Sequence, residues 1–360
     1  MMPDEPARAA EPSPQRSGRA QVLIRFAGLG IVALVLWFLF TRVADWREVW
    51  AAIQDLTLRY WALLIGVALL RFAVEAMLLV AVTPGLSLLR AVPAFLAPAA
   101  AASVIPGPSD LAARYAMYRR WGFGATETSS SVILWLIYST MAKVSLPLIA
   151  LGLLVFFDRS QARVETVAII AAGVLVAIAA AGFVLFRSER TARGLGRGAG
   201  LAAHRIAGWF RISTPDTLAE DLAVRAVRFR DRTGHIIRSR SHMAAPGAYA
   251  QQAALFVILL VSVRAVGITP DQLDWVAIFA AFALVQIITS VPVTPAGLGV
   301  AEVAYVALLA VGSTGGLVDQ VTAAALIYRI FSWLVVIPAG GIAWLWWSRT
   351  VGEPDMAAGT

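Results

Sequence analysis

The sequence predicts an all-α polytopic membrane protein with about six full transmembrane helices and two Pro/Gly-broken re-entrant helical hairpins, arranged as an inverted repeat. Three observations carry that expectation. Of the 360 residues, 59% are hydrophobic and only 14% are charged, against roughly 25% charged in soluble domains, so the excess apolar surface has to face lipid. Six apolar runs (22–40, 60–81, 127–157, 164–186, 246–267 and 317–347) match or exceed the roughly 20 residues that cross a bilayer. Two further pairs of shorter runs, 91–105 with 109–120 and 275–291 with 299–313, are each joined by a break rich in proline and glycine.

Residues 1–21 are polar and proline-containing, which predicts a disordered cytoplasmic tail. The run 22–40 is longer than a signal-peptide core and lacks a small-residue cleavage site, so it reads as an uncleaved anchor. A single membrane domain is expected over 22–347, with a second cytoplasmic tail over 348–360.

Charge placement sets the expected topology. Arg8, Arg16, Arg19 and Arg25 put the N-terminus in the cytoplasm, and Arg349 does the same for the C-terminus. Twelve arginines lie between Arg187 and Arg240, in a polar stretch flanked by spans that the positive-inside rule places in the cytoplasm. The net charge of +8 therefore calls for no nucleic acid. Residues 158–163 and 268–274 fall outside, and the two hairpins then enter from opposite faces, as an inverted repeat requires. Within the arginine-rich connector 187–243, the stretch 216–230 spaces Leu218, Leu222 and Phe229 helically among charges. It reads either as an amphipathic helix on the inner membrane surface or as a solvated connector.

The breaks are the most informative segments. Val291 to Glu302 holds Pro292, Pro295, Gly297, Gly299 and Glu302, while Ser103 to Arg114 holds Pro106, Gly107, Pro108, Asp110 and Arg114. Proline removes backbone donors and glycine loosens the helix, which argues against a continuous membrane helix there. Broken backbone at membrane depth survives only where protein or a water-filled cavity covers it, which is where transporters build substrate sites. Helices starting near Ser109 and Gly299 would aim unpaired N–H groups inward, a setting suited to an anionic group.

Ionisable residues within spans are costly and mark candidate sites. Arg71 and Glu75 stand at i, i+4, a spacing that permits an intrahelical, structural pair. Asp110 and Arg114 repeat that spacing beside the first break. Lys143, the sole lysine, has no acidic neighbour in its own span. It needs a partner from another helix, an anionic ligand, or a snorkelling route to the interface. Glu302 and Arg329 are 27 residues apart, so two helices packing back on each other can join them as a structural salt bridge or as a substrate or gating pair. Trp344, Trp346 and Trp347 read as interface anchors.

Several functions are set aside. There are no cysteines, which excludes disulfides, thiolate catalysis and Cys-built zinc sites. His204, His235 and His242 are spaced 31 and 7 apart, poorly for metal ligands, and no span contains a histidine. No P-loop, nucleotide fingerprint or G-x-S-x-G elbow occurs. No cofactor is expected.

Pro295-Ala-Gly-Leu-Gly-Val-Ala-Glu302, with Arg329 beyond it, resembles the P-x-G-x-G-x-x-E signature of the lysylphosphatidylglycerol synthase transmembrane-region family. Pro106-Gly-Pro-Ser-Asp-Leu-Ala-Ala-Arg114 resembles its first-half counterpart. The resemblance implies a flippase-like, multi-pass plasma-membrane protein that translocates or helps process an anionic or polyprenyl-phosphate-linked lipid. Bifunctional relatives add a soluble aminoacyltransferase domain, which is not expected here, since thirteen residues follow Trp347. Two other classes compete. One is a membrane-embedded transferase on lipid-linked sugars, with Glu302 or Asp110 as base. The other is a non-catalytic scaffold of cell-envelope biosynthesis proteins, docked through 187–243.

Overall fold

The computed structural model describes residues 56–104, 109–157, 217–290, 300–310 and 316–350 continuously, with isolated positions elsewhere. The run 22–40, all of 164–186 but isolated positions, most of both tails, and the motif residues Pro106, Gly107, Pro295, Gly297 and Gly299 lie outside the described residues. The described chain is helical and, within those residues, has no strand.

Helix α1 spans Leu58–Val82. It stops because Pro84 cannot donate an N–H and pushes Thr83 out of helical conformation; Gly85, at φ +88°, then turns the chain. Helix α2, Leu88–Val104, carries Pro93 and Pro98 inside it. Helix α3, Ser109–Arg120, has Asp110 in its first turn and Arg119 and Arg120 in its last, each complementing the helix dipole. Helix α4, Ala125–Phe156, is capped where Gly124 N–H donates to Glu127 Oε2 at 3.0 Å.

The second half repeats this order. Helix α5 is Leu218–Ala265. Its end is pinned by Arg264, which donates to the carbonyls of Ile268 and Leu273 at 2.9 and 2.8 Å. Helix α6, Trp275–Ile288, is capped by Asp274, which accepts from the N–H groups of Val276 and Ala277. Helix α7 is Val300–Leu309, and α8 is Gly316–Arg329. A π turn, Ile330–Leu334, joins α8 to α9, Val336–Thr350.

Four stretches are long and apolar enough to cross a membrane: α1, α4, Arg230–Ala265 within α5, and Gly316–Thr350. They coincide with four of the six predicted spans and make the chain an integral membrane protein. The remaining helices are shorter: α7, with ten residues, reaches only about 15 Å, and α2, with 17, about 25 Å, against a hydrocarbon core near 30 Å.

Each half therefore runs long, short, short, long, with a proline-rich segment between the short helices. The packing repeats as well. α1 meets α2 and α4, α2 meets α3, and α3 meets α4; likewise α5 meets α6 and α8, α6 meets α7, and α7 meets α8. Across the halves, α4 packs on α6 and α9 packs on α2, the same exchange in both directions. The long lead helices α1 and α5 run antiparallel. Leu78 contacts Gly247, and Arg240 donates to the Val80 carbonyl at 3.2 Å, while Leu64 and Ala68 share a core with Leu255 to Val263. At the α9–α2 crossing, Gly340 sits directly against Ala100 and the Leu96 carbonyl. The backbones approach so closely there that glycine is required.

Residues 216–230 are helical from Leu218, but they form the beginning of α5 rather than a separate surface helix. Pro246 removes one hydrogen bond without ending the helix. The following segment docks on the membrane helices: Arg232 pairs with Glu127 at 3.0 Å, Tyr138 and Ser241 hydroxyls meet at 2.7 Å, and Ile236 is buried with Leu78 and Leu134.

Candidate functional site

The predicted intramembrane charges fall into two buried groups. In the first half, Glu75 is fully buried, and its Oε1 accepts from Trp135 Nε1 at 2.7 Å. The Arg114 guanidinium lies over the Trp135 ring, 3.7 Å from its centroid, so one indole binds a carboxylate at its edge and a cation on its face. Arg114 Nε also donates to the Ala94 carbonyl at 3.2 Å. That carbonyl is available because its helical partner four residues on is Pro98, which has no N–H. The same arithmetic frees the Val80 carbonyl, opposite Pro84, for Arg240. Arg71 donates Nη1 to the Ser332 carbonyl and rests 5.7 Å from the Phe95 centroid.

The intrahelical pairs permitted by spacing do not form. Arg71 and Glu75 turn to different neighbours, the π turn and Trp135, and no ion pair joins them among the described residues. Arg114 likewise turns to α2 and α4, and Asp110 stays half-buried without an ion pair to it among the described residues. The reason is burial. A guanidinium or carboxylate inside a packed bundle must satisfy several directions at once, and partners on other helices do so better than one along the same helix. Glu75 still lies within electrostatic reach of Arg114, Arg71 and Lys143. Lys143 is half-buried and makes no hydrogen bond or ion pair among the described residues.

In the second half, Arg329 Nε donates to Glu302 Oε1 at 2.8 Å, and the side chains are 13% and 17% exposed. The expected back-packing of the two helices is thus present: Glu302 opens α7 and Arg329 closes α8. Arg329 also lies 5.7 Å from the Trp333 centroid. Close by, the rings of Tyr305 and Tyr328 meet edge-on, 5.6 Å apart. Tyr328 is buried and within electrostatic reach of both Arg329 and Arg71.

Some polar residues escaped the sequence reading. Gln286 Nε2 donates to Gln252 Oε1 at 2.9 Å, joining α5 to α6 within the core, and Gln251 is buried beside them. The Gln251–Gln252 doublet in an apolar run was a readable signal of intramembrane polarity. Trp135 gave none, since a tryptophan in a span is ordinarily an interface residue. Trp344, Trp346 and Trp347 lie toward the end of α9, with Trp347 buried and Arg120 5.0 Å from its ring centroid. Trp347 is therefore a packing residue as much as an anchor.

No curated protein and no solved structure matches the chain. Residues 25–340 match the family described as the lysylphosphatidylglycerol synthase TM region, and with most of its length covered, from before α1 into α9, the chain belongs to that family.

Proposed function

We propose that this protein translocates a lipid with an anionic headgroup, either a phospholipid or a polyprenyl-phosphate-linked lipid, across the plasma membrane. The observation that carries the reading is the Glu302–Arg329 pair, 2.8 Å long. It lies half-buried, with Glu302 in the first turn of a short helix that follows a Pro/Gly break. Charges are kept in a membrane interior where polar cargo has to pass. Arginine suits phosphate because its donors form a fixed fork.

The architecture supports the same reading. Short helices on either side of each break suit re-entrant hairpins, and antiparallel lead helices suit two halves inverted in the membrane. Asp110, Arg114, Lys143, Gly297 and Gly299 would line the headgroup path with Glu302 and Arg329, while acyl chains remain in lipid.

The test is reconstitution into vesicles with a headgroup-labelled phosphatidylglycerol and an impermeant quencher. Translocation makes inner-leaflet label accessible at a rate that scales with protein per vesicle. Accessibility equal to that of protein-free vesicles overturns the proposal.

A further inference from the structure

We infer that Arg71, Arg114, Ser139 and Lys143, gathered around Glu75, form a binding site for one phosphate group, distinct from the Glu302–Arg329 pair. The first argument is a charge imbalance. Three cations, Arg71, Arg114 and Lys143, share one buried carboxylate, Glu75, within electrostatic reach. Asp110 reaches Arg114 and Lys143 from the edge, yet it is half-buried, so even with its charge counted the cluster keeps an excess of positive charge. A buried excess of one sign is costly, and a bound anion would offset it.

The second argument is unspent hydrogen-bonding capacity. Arg114 is 1% exposed and its Nη1 has no partner; Arg71 is 9% exposed and its Nε has none; the Ser139 hydroxyl, 7% exposed, has none. Buried polar groups are ordinarily satisfied, and these three donors outnumber the one unpartnered acceptor of the cluster, Glu75 Oε2, so a ligand that completes the group has to bring oxygens. The third argument is placement. Trp135, Ser139 and Lys143 stand at i, i+4 and i+8 on α4 and therefore share one face. Trp135 holds Glu75 at its edge and Arg114 on its ring, so Ser139 and Lys143 stand on the α4 face that meets this group, with Lys143 within electrostatic reach of Glu75 and Arg71. Arginine forks plus a hydroxyl and an ammonium are the donor set of a phosphate site.

Glu75 provides the discriminating sign. In a structural ion network its charge is needed; in an anion site it opposes the ligand and tempers affinity. The inference deepens the lipid-translocation reading, but binding and movement are measured separately.

The experiment is native mass spectrometry of the full chain in detergent, titrated with phosphatidylglycerol, with diacylglycerol as the phosphate-free control and inorganic phosphate as competitor. Lys143→Gln is expected to weaken phosphatidylglycerol binding, and Glu75→Gln, which keeps an oxygen for Trp135, to tighten it, each by about tenfold for a unit charge at close range in a partly screened interior. Diacylglycerol should not bind. Displacement by inorganic phosphate would support the site with a soluble phosphate as its ligand. Phosphatidylglycerol retained against inorganic phosphate supports it with a lipid headgroup. Unchanged affinity in both variants, weakening by Glu75→Gln, or equal binding of diacylglycerol overturns the inference. Should Glu75→Gln fail to fold, Lys143→Gln with Ser139→Ala decides, since neither removes a bond present among the described residues. Binding with this charge dependence in a protein inactive in vesicles keeps the site and removes translocation; translocation with charge-independent binding does the reverse.

Discussion

Arg71 on α1 donates Nη1 to the main-chain carbonyl of Ser332, 2.5 Å away in the π turn of the last helix. A side chain from the first half thus holds the π turn of the second. It does so beside Arg329, the residue that precedes the turn. A π turn shifts the helical ladder by one residue and redirects carbonyls, and the guanidinium satisfies one of them.

Arg71→Met is therefore expected to destabilise the protein by about 1–3 kcal/mol, because it leaves the buried Ser332 carbonyl without its donor. Arg71→Lys should fall between, keeping charge without the fork. Thermal unfolding in detergent checks the order, and equal stability of all three proteins would contradict it.

Breaking the Glu302–Arg329 pair from either side leaves an uncompensated charge, at a cost of about 3–5 kcal/mol. Glu302→Gln and Arg329→Gln should each lower folded yield. The double variant should recover yield while remaining inactive in the vesicle assay. Recovery of transport as well would reduce the pair to a structural bridge.

Gly340 faces Ala100 and the Leu96 carbonyl with no room for a Cβ, whereas Gly341, next to it, has no neighbour within 4 Å. Gly340→Ala should cost about 1–3 kcal/mol through overpacking. Gly341→Ala should be neutral or stabilise the helix by up to about 1 kcal/mol. The two melting temperatures, measured side by side, test the α9–α2 crossing.

The chain has no cysteine, so single introduced thiols report topology directly. Ser239 and Asp271 are both exposed, on opposite sides of the apolar part of α5. With an impermeant thiol reagent on intact cells, Asp271→Cys should label and Ser239→Cys should not. The reverse pattern would invert the assigned orientation.

Hydropathy located the spans well where lipid surrounds the helix: the expected 60–81 is Leu58–Val82 in the structure. It also placed the expected 246–267, which lies almost wholly within the apolar stretch Arg230–Ala265, but not the start of that helix at Leu218. Hydropathy records which solvent a segment prefers, and α5 passes from one solvent to another without changing its hydrogen-bond pattern. In the candidate site, Glu302 and Arg329 were legible because charge in a span is conspicuous. The partners of Arg71 and Arg114 were not, since two of them are main-chain carbonyls. Proline gives part of that signal: Pro98 marks the Ala94 carbonyl, and Pro84 marks that of Val80. The choice of which arginine collects each carbonyl depends on tertiary packing.

The 48 residues of α5 make a rod of about 72 Å, more than twice the thickness of the hydrocarbon layer. Its apolar end carries Gln251 and Gln252 into the protein core, and its other end stands among arginines on the polar side. The rod is held to α1 and α4 along much of that length, by Arg232 on Glu127, Arg240 on the Val80 carbonyl, Ser241 on Tyr138 and Gly247 on Leu78. A load applied at its Leu218 end is therefore borne by α1 and α4 before it reaches the Gln252–Gln286 hydrogen bond.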